Sequence, residues 1–202
     1  MTDDGRRVHS NLIDFKNNLD SKIILGGSTL RGLEQCFNDN FFYHFISGGK
    51  IADLINIVAE IPDTSATFIL AVGTNDIATN DSPDEIIKKY QNLIDSIFQK
   101  QGNLIIANLP FPPKNCRARS NFINKMNILK IKKINTFLAE SSKKNNIKIL
   151  DLSKKGVKSE PNGMDVWIED AWVESEREKK LHLTFKEKKE VAQTLTKLFN
   201  QI

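Results

Sequence analysis

Three short apolar runs in this chain end in glycine-containing turns that carry a small polar residue. Lys22–Leu25 leads into Gly26-Gly27-Ser28, Phe41–Ile46 into Ser47-Gly48-Gly49, and Thr67–Val72 into Gly73-Thr74-Asn75-Asp76. A serine hydroxyl is a poor nucleophile until a base takes its proton, and the oxyanion formed by attack on a carbonyl needs preorganised donors. The chain has 3 histidines to offer as a base. His9 lies in a polar N-terminal stretch, and His44 sits inside an apolar run, which suits a core or partner contact. His182 lies just ahead of a helix start. Each residue also has a plain structural reading: Ser28 as a helix cap, Gly48-Gly49 as a tight turn, Asn75-Asp76 as a turn-and-cap pair, His182 as a solvated side chain.

The elements that would position these residues alternate between strands and helices. After Ser28, Thr29–Phe37 reads as a short helix, and a second helix runs from about Lys50 to Glu60. Ser82, Pro83 and Glu85 form a capping box with proline at the first helical position. Ile86, Ile87, Tyr90, Leu93, Ile94, Ile97 and Phe98 then fall on one face at helical spacing. Asn103–Leu109 and Ile147–Leu150 are further strands, with a long helix from roughly Arg119 to Lys143 between them. The segment Ser153–Lys180 reads as largely irregular, and a last helix starts near Thr184 with Glu187 three residues on. Strands alternating with helices predict a five-stranded parallel sheet between two helical layers, a three-layer α/β/α fold of flavodoxin-like type. In such sheets ligands sit beyond the C-terminal strand ends, where the strand order reverses. Residues 1–20 read as a partly helical leader and 21–202 as a single domain.

Composition narrows the function classes. The chain has 202 residues, 40% of them hydrophobic and 27% charged, and a formal net charge of +4. That is ordinary for one globular domain. Cys36 and Cys116 form no metal-ligand spacing, so neither a metal nor another cofactor is expected. The N-terminal stretch lacks the apolar core of a signal peptide, and no apolar run approaches the ~20 residues of a membrane span. A reduced, cytoplasmic protein is the expectation, with the oligomeric state left open.

The three turns and the segment around His182 together resemble the SGNH/GDSL hydrolase superfamily over nearly the whole chain. The first block, usually G-D-S, is similar to Gly26-Gly27-Ser28, and the second to Ser47-Gly48-Gly49-Lys50-Ile51-Ala52-Asp53-Leu54. The third, G-x-N-D, is intact as Gly73-Thr74-Asn75-Asp76, and the last is similar to Lys179-Lys180-Leu181-His182-Leu183-Thr184. The resemblance implies an ester hydrolase working through an acyl-serine. Ser28 would be the nucleophile and His182 the base. The oxyanion would be held by the backbone N–H groups of Ser28 and Gly48 and the Asn75 amide, aided by the positive end of the helix after Ser28. Small acyl esters are the implied substrates.

Two departures bear on activity. Gly27 replaces the usual aspartate, which spares the nucleophile. The triad acid is expected three residues before His182, where Lys179 stands. Losing such a carboxylate costs about 10⁴-fold in serine proteases. Three arrangements follow: another carboxylate substitutes (Glu178 being closest, then Glu176, Glu174 and Asp170), a Ser28–His182 dyad works slowly, or catalysis is lost. The last outcome has a precedent in the more distantly similar SGNH-like domain of insect Oskar, which lacks the catalytic residues and binds RNA; retroelement esterase domains are similar as well. From Lys114 to Lys155 there are 12 Lys or Arg residues against Glu140 and Asp151. Arg117, Arg119, Lys130, Lys132 and Lys133 would lead a basic face for RNA. A solvated helix face is the alternative reading of that run.

Overall fold

A computed structural model describes the chain except residues 1, 3, 16–20, 38–40, 112–124, 154–156, 160–164, 168–171 and 176–179. At 28, 125–126, 157–159, 165–167, 172–175 and 180–182 it describes the backbone alone. Six strands form one sheet: β1 (Val8–Ser10), β2 (Lys22–Gly26), β3 (Phe41–Ile46), β4 (Thr67–Ala71), β5 (Asn103–Ala107) and β6 (Lys148–Leu150), in the order β1-β3-β2-β4-β5-β6. The five parallel strands expected from the sequence are β3-β2-β4-β5-β6. The sixth, β1, comes from the stretch read as a leader and pairs antiparallel with β3, Val8 opposite Ile46 and Ser10 opposite His44. Leu12–Asp14 adds one 3-10 turn.

The strands alternate their side chains between two cores, as a period of two requires. Ile23, Leu25, Phe68, Leu70, Leu104 and Ile106 face α1 (Ile51–Glu60), α3 (Pro83–Gln99) and α4 (Lys125–Asn145). Ile24, Ile69, Ile105 and Leu150 face α5 (Phe185–Phe199) and the segment after β2. Each such side chain, fully buried, stabilises the fold by roughly 1.5–3 kcal/mol. Ser82 caps α3 as its sequence requires: its Oγ accepts from the Glu85 N–H at 3.2 Å and the Glu85 carboxylate accepts from the Ser82 N–H at 2.6 Å. Thr184 caps α5: its Oγ1 accepts from the Glu187 N–H at 3.3 Å.

Three sequence expectations change. The helix expected over Thr29–Phe37 is two 3-10 segments, Ser28–Leu30 and Leu33–Cys36, interrupted where Gly32 takes a left-handed φ of 87°. A three-residue turn has almost no macrodipole, so the helix-end contribution expected at Ser28 is absent. A four-residue helix, α2 (Thr74–Ile77), follows β4. The stretch read as irregular contains β7 (Val157–Ser159) against β8 (Asp165–Trp167), and β9 (Trp172–Ser175) against β10 (Lys180–Leu183), both pairs antiparallel.

Candidate functional site

The strand order reverses between β2 and β4, so the crevice that the fold favours for ligands lies at their C-terminal ends. Gly26 pairs with Ala71 there, and a Cβ on Gly26 would stand 2.5 Å from the Ala71 carbonyl oxygen, so only glycine allows this approach. Gly27 N–H donates to the same carbonyl at 3.1 Å. A Cβ on Gly27 would meet Asn75 Nδ2 at 3.6 Å and the Gly49 oxygen at 3.7 Å, ordinary contacts. The glycine in place of the usual aspartate is therefore not imposed by crowding, and it leaves the Asn75 amide uncovered from this side.

The second turn is built around Gly48, whose φ of 72° belongs to the left-handed region. Gly49 N–H closes the turn onto the Ile46 oxygen at 2.9 Å. The third block staples this turn in place through two adjacent side chains. Asn75 Nδ2 donates to the Gly49 oxygen at 3.0 Å. Asp76, fully buried, accepts from the Ile51 N–H at the start of α1, at 3.2 Å to Oδ2. An amide carries two N–H donors, and among the described residues Gly49 takes one of them from Asn75.

Burial pushes the Asp76 carboxyl above the usual range, against the pull of the Ile51 N–H. A carboxyl raised in the folded state binds more protons folded than unfolded. Its contribution is therefore most favourable in acid and is lost as pH rises through the folded pKa. Asp53 runs the other way: the hydrogen bonds from Arg6 hold it low, so its contribution is present at neutral pH and lost in acid. Asp76→Asn is thus expected to melt higher than wild type at pH 7, the gap narrowing as pH falls from the raised folded pKa toward the unfolded value of about 4. Thermal unfolding at several pH values checks this, and a wild type that melts higher at pH 7 would show that the hydrogen bond outweighs burial.

The N-terminal stretch closes over the second turn. Ser47 N–H donates to the Arg7 oxygen at 2.9 Å. Arg6 makes a two-pronged ion pair with Asp53, at 2.7 and 2.8 Å, and its Cδ passes 3.9 Å from where a Gly48 Cβ would be. Asp53 also accepts from the Lys50 N–H at 2.7 Å. Sequence reasoning missed this clamp. Asp53 stood inside the second block, but its partner is 47 residues away.

Of the expected catalytic residues, Ser28 begins the 3-10 turn after β2, and His182 lies in the middle of β10, opposite Val173. Strand β10 packs on the Ser28–Leu30 turn, and Leu183 is buried among Leu30, Leu33 and Val191. Both backbones thus reach the same sheet edge; their side chains lie outside the described residues, as do Lys179, Glu178, Glu176 and Asp170. Glu174 lies in β9, its backbone alone described. His9 stacks on Tyr43 at 4.8 Å between centroids and reaches Glu34 at 3.1 Å, while His44 is held by Ser10 at 3.0 Å. A small pocket of about 10 Å³ lies beside the turns, lined by Thr29, Val72, Thr74, Asn108 and Leu109.

A family model for the OSK domain matches residues 44–196. The chain belongs to the OSK domain family. No curated protein matches it. Solved structures share its fold. A GDSL-like lipase from Bacteroides thetaiotaomicron is 15% identical with a TM-score of 0.70, covering 92% of this chain and 91% of that one. A member of the lipolytic G-D-S-L family from Veillonella parvula is 18% identical with a TM-score of 0.67, covering 90% and 99%. The OSK domain of Drosophila Oskar is 18% identical with a TM-score of 0.64, covering 90% and 89%. This OSK domain therefore has the SGNH/GDSL-like fold.

The basic face expected on this OSK domain is reshaped by its own packing. Lys130 is buried, only 9% exposed, and its ammonium donates to the Thr79 oxygen at 2.9 Å, tying α4 to the loop after α2. Lys133 is ion-paired with Asp84 at 2.8 Å. Lys132 is exposed. Arg117 and Arg119 lie outside the described residues. No helix among the described residues is long and apolar enough to cross a membrane.

Proposed function

We propose that this OSK domain is an SGNH-type ester hydrolase of small acyl esters. Ser28 attacks the acyl carbon, His182 takes and returns the proton, and the Ser28 and Gly48 N–H groups with the Asn75 amide hold the oxyanion. The observation that carries this reading is the staple of the third block on the second: Asn75 Nδ2 is fixed 3.0 Å from the Gly49 oxygen, beside a bare Gly27. Preorganised donors of this kind supply much of the rate in acyl transfer.

The test is turnover of a short-chain activated ester by wild type and by Ser28→Ala. Serine, histidine and acid act as a unit, so their losses do not add. With Lys179 standing in the acid position, Ser28→Ala is expected to cost about 10²-fold, rather than the ~10⁶ seen when an intact triad is broken. Equal rates in the two proteins would overturn the reading. They would favour the second one, a non-catalytic OSK domain that binds RNA or a protein partner, for which family membership and Lys179 speak.

A further inference from the structure

Two cations stand together beside the proposed oxyanion donors, and neither is absorbed by that mechanism. Arg31 follows the Ser28 turn, and its Nη2 donates to Ser47 Oγ at 2.5 Å, one residue from Gly48. Its Nε is buried and meets no acceptor among the described residues. Lys188, in the first turn of α5, lays its ammonium 3.0 Å from where a Gly32 Cβ would be, and it feels the Arg31 charge. Strand β10, which precedes α5, packs on the Ser28–Leu30 turn, and α5 packs on Leu33–Cys36. Both cations therefore flank the same sheet edge as Ser28, Gly48 and Asn75.

Among the described residues, Glu34 is the carboxylate that acts on Lys188, and its oxygens are committed to the Gly32 N–H at 2.8 Å and to His9 at 3.1 Å. Burial holds the Lys188 ammonium below its usual range, Glu34 and Cys36 opposing that fall and Arg31 adding to it. Holding two like charges close, one with a buried unpaired N–H, costs free energy that an anion bound between them would recover. A guanidinium with a free edge suits the planar fork of a carboxylate.

We infer that Arg31 and Lys188 form an anion subsite beside the oxyanion donors, so that the preferred ester carries a carboxylate on its acyl part. This rests on the hydrolase reading for its use, but not for its existence. Ser47 holds the guanidinium in register with Gly48, which sets the carboxylate a few bonds from the carbonyl that Gly48 would grip. A dicarboxylic half-ester of about four carbons has that reach.

The test has two arms on the full chain. In the first, succinate is titrated into the ¹⁵N-labelled protein and the Arg31 Nε–H resonance is followed, assigned by its absence in Arg31→Gln. A saturable shift that weakens in Lys188→Gln and at high salt is expected. In the second, the activated phenyl esters of butyric acid and of succinic acid are compared, and Arg31→Gln is expected to lower kcat/KM for the succinyl ester at least about tenfold more than for the butyryl ester. No saturable shift, with equal effects on both esters, would overturn the inference and leave the hydrolase reading standing. Succinate binding without turnover of either ester would remove the hydrolase reading and keep the subsite. Saturation by inorganic phosphate but not by succinate would overturn the carboxylate assignment.

Discussion

Lys179→Asp is expected to raise turnover of a short-chain ester by up to about 10⁴-fold, the factor that a misplaced or missing triad acid costs in serine proteases. A carboxylate in that position fixes which ring nitrogen of His182 carries the proton and stabilises the imidazolium that forms when Ser28 is deprotonated. On the proposed mechanism a lysine does neither, and it adds like charge to a site whose histidine must become cationic. The gain should be in kcat, because a triad acid acts through the histidine rather than on the substrate. It should vanish when Ser28→Ala is added, since an acid can act only through the histidine and serine. Steady-state kinetics of the single and double variants check both statements. An unchanged rate in Lys179→Asp would mean that another group already orients His182, and Glu178→Gln would then identify or clear the nearest candidate.

The largest stability effect is expected at Gly73. Its φ of 105° is unfavourable for any residue with a Cβ, and a Cβ there would stand 2.2 Å from the Tyr90 hydroxyl oxygen and 3.1 Å from Leu109 Cδ2. Tyr90 cannot retreat. It is fully buried and donates to the Val72 oxygen at 2.6 Å. Gly73→Ala is therefore expected to lose on the order of 3–5 kcal/mol, the range for overpacking combined with backbone strain. That corresponds to roughly 10 °C or more in Tm for a chain of this size. Removing the hydroxyl should relieve part of the clash, so Gly73→Ala with Tyr90→Phe should be less unstable than the sum of the two single changes. Strict additivity in denaturant unfolding would show that the backbone conformation alone carries the cost.

The sheet and most helices were legible because local signals agreed with tertiary packing. Phe41–Ile46 is apolar apart from His44 and forms β3 over those same residues, and Ser82 with Glu85 starts α3 where the capping pattern puts it. The three turns were legible for a similar reason: glycine at 26, 48 and 73 marks places where the backbone approaches closely or takes a positive φ. What the sequence hid depends on distant partners. Val8–Ser10 has no pattern of its own and becomes a strand only because β3 offers an edge. Arg6 and Asp53 reveal their pairing only in three dimensions. Lys130 was misread through its charge. It stands four residues before Ile134, on the inner stripe of α4, and that periodicity signalled a side chain turned inward more reliably than its ammonium signalled solvent.

The N-terminal strand has a consequence for how this sheet behaves in company. Strands that end a sheet offer unpaired N–H and C=O groups to any passing chain, and long apolar ones seed aggregation. Without β1, that border would be Phe41–Ile46, six residues rich in aromatics. With it, the border is Val8–Ser10, three residues long, whose His9 and Ser10 are exposed. The opposite border, Lys148–Leu150, is equally short and begins with a lysine. A stretch that looks like an appendage in the sequence thus acts as a hem, finishing a raw edge along which copies of this protein would otherwise stick together.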